Sequence, residues 1–262
     1  TAIRRISAGM RQRPLDCANR IPLIFPFVNT PRLCYTEKPD DAGTAARKGR
    51  TEKMGECFVF GAGTLYGVYR PPREGDYVIA ADAGYAACRA AGIVPDLLVG
   101  DFDSMDEPDF PNILRSPVEK DDTDTSLALK HGLSLGYRTF HIYGGTGGER
   151  LDHTLANLQM LLWLRRQGAR GYLYDREFVY TAIENEGISI PKTVEWGLLS
   201  VFCLGADARG IWESGVQYPL NNASLSAAFP LGVSNHILGE TARVSVEEGA
   251  LLVGWQLPGL DT

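Results

Sequence analysis

Aspartates in this sequence follow short apolar segments, at the points where the predicted strands end. In an open α/β sheet the carboxyl ends of the strands border the crevice where ligands bind. Carboxylates that converge there repel one another and need a cation, and oxygen ligands without cysteine favour Mg²⁺, which also binds substrate phosphates. The pattern therefore predicts a metal–phosphate site. Its aspartates are Asp82, Asp101, Asp103, Asp121, Asp122, Asp124 and Asp152.

Each of these residues also has a structural interpretation when it is taken alone. An aspartate before a helix often caps it, which applies to Asp124 and Asp152, and Asp82 could form a turn. Thr123 could cap the same helix as Asp124. We interpret His153, near the start of a predicted helix, as a structural hydrogen-bonding residue rather than a base. The repetition of aspartates at successive strand-to-helix junctions favours the metal–phosphate site over coincidence.

A glycine-rich segment, YGGTGGER (143–150), lies between a predicted strand and a predicted helix. Glycines allow close backbone approach and direct N–H groups toward an anion, and Arg150 adds a planar fork of donors for phosphate oxygens. The segment is not a Walker P-loop, since no G-K-[ST] follows, nor the dinucleotide-binding fingerprint. Lys120 could neutralise a phosphate or pair with an aspartate at the surface. The glycines are Gly144, Gly145, Gly147 and Gly148.

The elements that must position these residues alternate between strands and helices up to about residue 182. Predicted strands are CFVF, YVIAAD, PDLLVG, RTFHIYGG, GYLYD and FVYTA, and predicted helices are 83–93, 123–136 and 151–168. Leucines from Leu151 to Leu162 are predicted to face the sheet. Residues 107–114 are predicted as a short helix. The alternation favours a doubly wound, mainly parallel, Rossmann-like α/β sheet.

From about residue 185 the pattern changes to short apolar runs separated by Gly, Asn, Ser and Pro turns. No helical period persists in this part of the chain, which favours a small C-terminal antiparallel β-sandwich. We therefore expect an α/β domain over residues 54–184 and a β-sandwich domain over residues 185–262.

Charge is distributed unevenly between the start of the chain and the rest. The 262 residues include 26 Lys/Arg and 32 Asp/Glu, for a formal net charge of −6. Residues 1–53 contain 11 of the basic and 5 of the acidic residues, whereas residues 54–262 contain 15 and 27. An acidic body disfavours nucleic acid as a partner and favours a cationic ligand, or a metal that holds phosphate.

The basic segment 1–53 is interrupted by prolines and has no sustained period. Two interpretations stay open for it: an irregular extension, disordered or foreign to the native folded protein, and an Arg-rich organelle-targeting peptide. No apolar run reaches the about eighteen residues of a membrane span, which disfavours a membrane partner. Five scattered cysteines without a C-x-x-C pair favour a reducing compartment. We expect a cytoplasmic location.

Several segments resemble, in order and spacing, the motifs of the thiamine pyrophosphokinase (thiamine diphosphokinase) family. The resemblance covers about residues 55–257, and no single segment would be as specific as the ordered set. Residues 1–53 have no counterpart in the motifs of this family. The segments that carry the resemblance are ADAG (81–84), PDLLVGDFDS (95–104), KDDTDTSLAL (120–129), GGERLDHTLAN (147–157), GVQYPL (215–220) and GVSNHILGETARVSVEEGALLV (232–253).

The resemblance implies a homodimer that transfers pyrophosphate from ATP to thiamine with Mg²⁺, giving thiamine diphosphate and AMP. The implied metal ligands are Asp82, Asp101, Asp103 and Asp124. The implied catalytic residues are Asp101, Asp103, Asp121, Asp124, Arg150 and Asp152. The implied nucleotide-binding residues are Asp82, Lys120, Thr123, Gly144, Gly145, Gly147 and Gly148. Thiamine is expected near the subunit interface at Tyr218, Ser234 and Asn235. Glu149 departs from the family's usual glycine–arginine junction.

Within this scheme Asp101 and Asp103 would hold Mg²⁺ on the phosphates, and Asp121 or Asp124 would orient the hydroxyl group or a second ion. Arg150 and the backbone amides of 144–148 would steady the transferred group. Two other functions stay open. One is a Mg²⁺-dependent diphosphokinase that acts on a pterin alcohol, and the other is a catalytically idle thiamine- or nucleotide-binding protein.

Overall fold

The described part of the chain folds into two β-sheets and three α-helices. The computed structural model describes residues 55–101, 109–115 and 122–259. The helices are α1 (Gly84–Ala90), α2 (Asp124–Ser134) and α3 (Leu151–Arg166). The strands are β1 (Cys57–Phe60), β2 (Tyr77–Ala81), β3 (Leu97–Gly100), β4 (Ile113–Arg115), β5 (Thr139–Tyr143), β6 (Arg170–Tyr174), β7 (Phe178–Glu184), β8 (Gly187–Pro191), β9 (Leu198–Cys203), β10 (Ala208–Ser214), β11 (Ala223–Leu225), β12 (Asn235–His236), β13 (Thr241–Ser245) and β14 (Ala250–Gln256).

Six parallel strands form one half of the larger sheet, in the order β4-β3-β2-β1-β5-β6. Every residue of β1 and of β3 is buried, because helices cover both faces of this half and leave no polar side for the strands. Leu129 of α2 and Leu161 of α3 pack on one face, and Cys88 of α1 packs on the other. The parallel strands therefore carry apolar residues at successive positions, as the sequence predicts.

The larger sheet continues beyond β6 with four antiparallel strands, in the order β7-β14-β9-β12. A second, antiparallel sheet has the order β11-β10-β13-β8. The two antiparallel layers share one core, to which Val201 and Val253 contribute from the larger sheet and Ile211 and Val244 from the smaller one. One layer of the sandwich is therefore a continuation of the large sheet. Strand β7 belongs to this layer, although it lies before the predicted domain boundary at residue 185.

Two local expectations are wrong. Within the segment predicted as a short helix, Ile113 begins strand β4, which pairs with β3. Leu151 and Leu155 are 71% and 55% exposed, although the leucine spacing predicts that they face the sheet. Helix α3 is buried only from Asn157 onward. Helical periodicity defines an apolar stripe but not how far along the helix the sheet extends. None of the described helices is long and apolar enough to cross a membrane.

Candidate active site

A cleft of about 180 Å³ lies at the carboxyl ends of β1, β2 and β5 and beside the first turns of α2 and α3. Parallel strands place their carboxyl ends at one edge of a sheet, so the segments that follow them meet there. The predicted site residues that line this cleft are Asp82, Thr123, Asp124, Gly144, Gly145, Gly147, Gly148 and Arg150.

The glycine-rich segment after β5 interlocks with the segment after β1. The backbone N–H of Gly61 donates to the carbonyl of Tyr143, and that of Gly63 donates to the carbonyl of Gly144, both at 2.8 Å. Gly144 has φ of +60°, and a Cβ there would lie 2.5 Å from the carbonyl oxygen of Gly61. Gly63 lines the cleft but is not among the predicted site residues. The signal that identifies it is the GAG sequence (61–63) directly after a buried strand.

Side chains from α3 and from the residue after β6 hold the glycine-rich segment. Asn157 is 5% exposed, and its Nδ2 donates to the carbonyl of Gly145 at 2.8 Å. Thr146 Oγ1 donates to Asp175 Oδ1 at 2.8 Å across 29 residues of sequence. Neither Asn157 nor Asp175 is among the predicted site residues. Both act on the backbone of the segment, so no pattern of charges or glycines indicates them.

Asp82 and Asp124 line the same cleft from the ends of different elements. Asp82 follows β2 with φ of +50°, a left-handed conformation that aspartate tolerates. Its backbone N–H donates to the carbonyl of Val99 at 2.8 Å, which holds this turn beside β3. Thr123 caps α2, since its side chain accepts a hydrogen bond from the Ser126 N–H at 3.1 Å. Capping, the structural interpretation considered for Asp124, is therefore performed by Thr123.

The chemistry of these donors fits Mg²⁺ in the presence of a phosphate substrate. No group of three or more His, Cys, Asp or Glu that could hold a metal occurs within the part of the chain that the structure describes. Mg²⁺ is commonly bound through one or two carboxylates together with substrate phosphates and water. Two aspartates beside a glycine-rich backbone therefore supply a suitable share of the ligands.

Arg150 and Asp152 form an ion pair at the start of α3. Arg150 Nε lies 3.0 Å from Asp152 Oδ1, and the two side chains are 68% and 64% exposed. The hydrogen bond from Arg150 lowers the pKa of Asp152 to about 2, so this carboxylate is ionised at neutral pH. An exposed pair adds little stability, and a phosphate can therefore compete for the guanidinium. Asp152 is not among the residues that line the cleft.

The other residues predicted for this site do not line the cleft or lie outside the described residues. Asp101 follows β3 and does not line the cleft as the described residues define it. Asp103, Lys120 and Asp121 lie outside the described residues. Asp122, which the sequence also predicts at this site, does not line the cleft; it pairs with Lys130 Nζ at 2.6 Å and accepts from Ser126 Oγ at 3.2 Å. Neighbouring aspartates in the KDDTD motif therefore have different roles.

Of the three predicted thiamine residues, two line a cavity of the sandwich and Ser234 does not. Tyr218 and Asn235 line a second cavity of about 280 Å³. Asn235 Oδ1 accepts from the Tyr218 N–H at 3.0 Å, and Asn235 Nδ2 donates to the Tyr218 carbonyl at 2.9 Å. Ser234, with φ of +61°, donates its backbone N–H to Ser200 Oγ at 3.1 Å. These contacts fix the backbone of Tyr218 while its side chain stays 65% exposed.

Two family models match successive parts of the chain. The catalytic domain of thiamin pyrophosphokinase matches residues 73–173, and the vitamin B1 binding domain of thiamin pyrophosphokinase matches residues 187–251. The chain belongs to the thiamine pyrophosphokinase family. The first match contains both cleft aspartates, Asp82 and Asp124, and the second contains Tyr218 and Asn235. The resemblance seen in the sequence motifs is confirmed.

Relatives of known structure have the same family name and a similar fold. The thiamine pyrophosphokinase of Bacillus subtilis is 29% identical over 182 residues, which are 67% of this chain and 85% of that protein. Its crystal structure matches with a TM-score of 0.70 at 26% identity and covers 77% of this chain and 99% of the other. The thiamin pyrophosphokinase family protein of Enterococcus faecalis matches with a TM-score of 0.68 at 28% identity, covering 78% and 99%.

Proposed function

We propose that this chain transfers a pyrophosphoryl group from ATP to thiamine and forms thiamine diphosphate and AMP. The observation that carries the proposal is the cleft, where Asp82, Asp124, Arg150 and a glycine-rich backbone lie together in a thiamine pyrophosphokinase fold. Carboxylates for a metal ion, backbone N–H groups and a guanidinium are the groups that pyrophosphoryl transfer needs. The acidic character of residues 54–262 also suits a substrate that carries a cationic thiazolium ring.

In this proposal the cleft binds the triphosphate of ATP. Asp82 and Asp124 would hold Mg²⁺, together with Asp101 and Asp103 of the segment PDLLVGDFDS (95–104). When bound, the ion neutralises phosphate charge and fixes the geometry of the phosphates. Lys120 would neutralise a phosphate, and Thr123 fixes the start of α2 beside the cleft. Arg150 binds the transferred group, and Asp152 orients the guanidinium of Arg150 before phosphate arrives.

The proposed reaction is an in-line displacement at phosphorus. The hydroxyl oxygen of thiamine forms a bond to the β-phosphorus of ATP, the bond from this phosphorus to the oxygen of AMP breaks, and AMP leaves with that electron pair. Asp121 or Asp124 accepts a hydrogen bond from the hydroxyl and so orients it, and the hydroxyl proton departs along this bond. Positioning and charge neutralisation supply most of the rate, because the protein forms no covalent bond.

Thiamine is proposed to bind at the sandwich cavity of a second copy of the chain. Five strand spacings separate β5, which leads into the cleft, from β12, which carries Asn235. At about 4.8 Å per spacing this amounts to roughly 24 Å, which is longer than thiamine. Large apolar side chains near the sandwich cavity are exposed, among them Tyr218, Phe229 and Leu231, as expected for a surface that a partner covers. A homodimer would bring the two half-sites together.

We further propose that the parallel half of the large sheet is doubly wound. Its strand order supports this, since the chain passes outward from β1 through β2, β3 and β4 and then returns to the other side of β1 at β5. Ligands bind beside such a reversal in open α/β sheets, and the cleft lies there. In this proposal residues 54–184 form the ATP-binding domain and residues 185–262 form the thiamine-binding domain. The cytoplasmic location stays a prediction.

Incubation of the purified protein with ATP, Mg²⁺ and thiamine tests this function. We expect thiamine diphosphate and AMP in equal amounts by mass spectrometry, and no accumulation of thiamine monophosphate and ADP. A parallel incubation with a pterin alcohol should yield no AMP. Tight thiamine binding without turnover, or product from the pterin alcohol alone, would contradict the proposal.

A further inference from the structure

The sandwich cavity contains a buried carboxyl group that none of the motifs indicates. The cavity, of about 280 Å³, is lined largely by apolar residues such as Leu220, Leu231 and Val233. Its polar residues are Tyr218, Asn235 and Glu213. Glu213 lies near the end of β10 and is only 3% exposed. A glutamate is almost never buried to this extent unless it is paired.

Only one oxygen of Glu213 has a partner within the described structure. Its Oε2 accepts a hydrogen bond from Asn235 Nδ2 at 3.1 Å. Its Oε1 is buried and has no hydrogen-bond partner among the described residues. Burial raises the pKa of the Glu213 carboxyl above its ordinary value, and the hydrogen bond from Asn235 opposes this shift. An unmatched buried oxygen is destabilising, so its retention needs an explanation other than stability.

The side chain of Asn235 has no hydrogen-bonding group left for a ligand, because all of its donors and acceptors already have partners. Its Oδ1 accepts from the backbone N–H groups of Tyr218 and His236, each at 3.0 Å. Its Nδ2 donates to Glu213 and to the carbonyl of Tyr218. An amide group has two donor hydrogens and two acceptor lone pairs, and all four are used here. Asn235 therefore positions the Tyr218 backbone and Glu213, and of the two buried polar side chains that line the cavity, Asn235 and Glu213, Glu213 has the unused capacity.

We propose that Glu213 determines substrate specificity by accepting, at Oε1, a hydrogen bond from the exocyclic amino group of the aminopyrimidine ring of thiamine. This inference rests on the proposed function and on thiamine binding at the sandwich cavity. The flat heteroaromatic ring suits the apolar walls, and the exposed ring of Tyr218 offers a face for stacking. Glu213 lines the cavity and its Oε1 is buried, so the amino group reaches this oxygen only when the ring enters the cavity and displaces the atoms that cover Oε1. A site that presents an acceptor rejects an analogue that presents another acceptor at the same place.

The test compares thiamine with an analogue in which a carbonyl oxygen replaces the exocyclic amino group. The wild-type protein should prefer thiamine by about tenfold or more in kcat/KM, since a hydrogen bond to a carboxyl group typically has this effect. In Glu213→Gln the amide oxygen keeps the bond from Asn235 and the NH₂ group faces the cavity. This variant should raise KM for thiamine, change kcat little and favour the carbonyl analogue. Glu240→Gln is the control, because Glu240 is a 94% exposed sandwich carboxylate.

The outcomes separate this inference from the function on which it rests. Failure of the wild-type protein to convert thiamine overturns the proposed function. Conversion of thiamine with an unchanged preference in Glu213→Gln overturns the role of Glu213 alone. The binding affinities of the wild-type protein for the two compounds, measured by calorimetry without ATP, require no variant. Equal affinities overturn the inference even where Glu213→Gln does not fold, and a tenfold preference for thiamine supports it.

Discussion

The cleft and the sandwich cavity are built in different ways. The cleft is formed by backbone segments that follow β1 and β5, and its aspartates lie within a few residues of strand or helix ends. The sandwich cavity depends on a side-chain network in which Glu213 and Asn235 meet across 22 residues of sequence. A parallel sheet gathers the segments after its strands at one edge. An antiparallel sandwich gathers residues only through register and turn geometry.

The difference predicts where single substitutions should act. In the cleft a substitution should affect the rate of the reaction or the closure of the interlocked loops. In the sandwich cavity a substitution should affect the choice of substrate and the pH dependence of stability.

Asp124→Asn should lower kcat/KM for thiamine diphosphate formation by about a hundredfold to a thousandfold, because it removes a charge that stabilises the transition state. The matched control is Asp122→Asn, two positions earlier. Asp122 pairs with Lys130 at the surface, with side-chain exposures of 31% and 42%. Such a pair contributes about 0–1 kcal/mol, so the control should keep activity within about threefold. Equal losses of activity in both variants would contradict the proposed role of Asp124 in the reaction.

Gly144→Ala should destabilise the fold by about 3 kcal/mol and lower the Tm by about 10 °C. A Cβ at Gly144 would lie 2.5 Å from the carbonyl of Gly61 in a backbone with φ of +60°. The control is Gly168→Ala, with φ of +74° and no atom within 4 Å of the new Cβ. Only the backbone strain remains there, about 1–2 kcal/mol. Thermal unfolding followed by circular dichroism measures both, and a smaller shift for Gly144→Ala would contradict the interlocked loops.

The sequence indicates several of the residues that border the cleft, because they lie close to element ends that local patterns predict. Asp82, Asp124 and Arg150 stand at strand-to-helix junctions, and the order of the apolar segments predicts those junctions. It does not predict Asn157 or Asp175, whose contacts with the glycine-rich segment depend on how α3 and β6 pack. It also does not predict Glu213, because a single glutamate in a strand has no periodicity and its burial follows from strand pairing. The sequence also does not predict that the large sheet continues into the sandwich, because the pairing of β6 with β7 leaves no local pattern.

The smallest expected effect is a pH-dependent stability difference between Glu213→Gln and the wild-type protein. Burial raises the pKa of Glu213 in the folded state above its unfolded value. The folded state therefore binds this proton more tightly, and the associated stability is present below the ordinary glutamate pKa and is lost as pH rises through the raised pKa. Glutamine carries no such proton, so Glu213→Gln should become more stable relative to the wild-type protein as pH rises through this window. Urea unfolding at several pH values measures the difference, with Glu240→Gln as the control that should show none. A difference that shrinks with rising pH would mean that Glu213 is stabilised as the carboxylate, and the cavity would then not hold an unmatched oxygen.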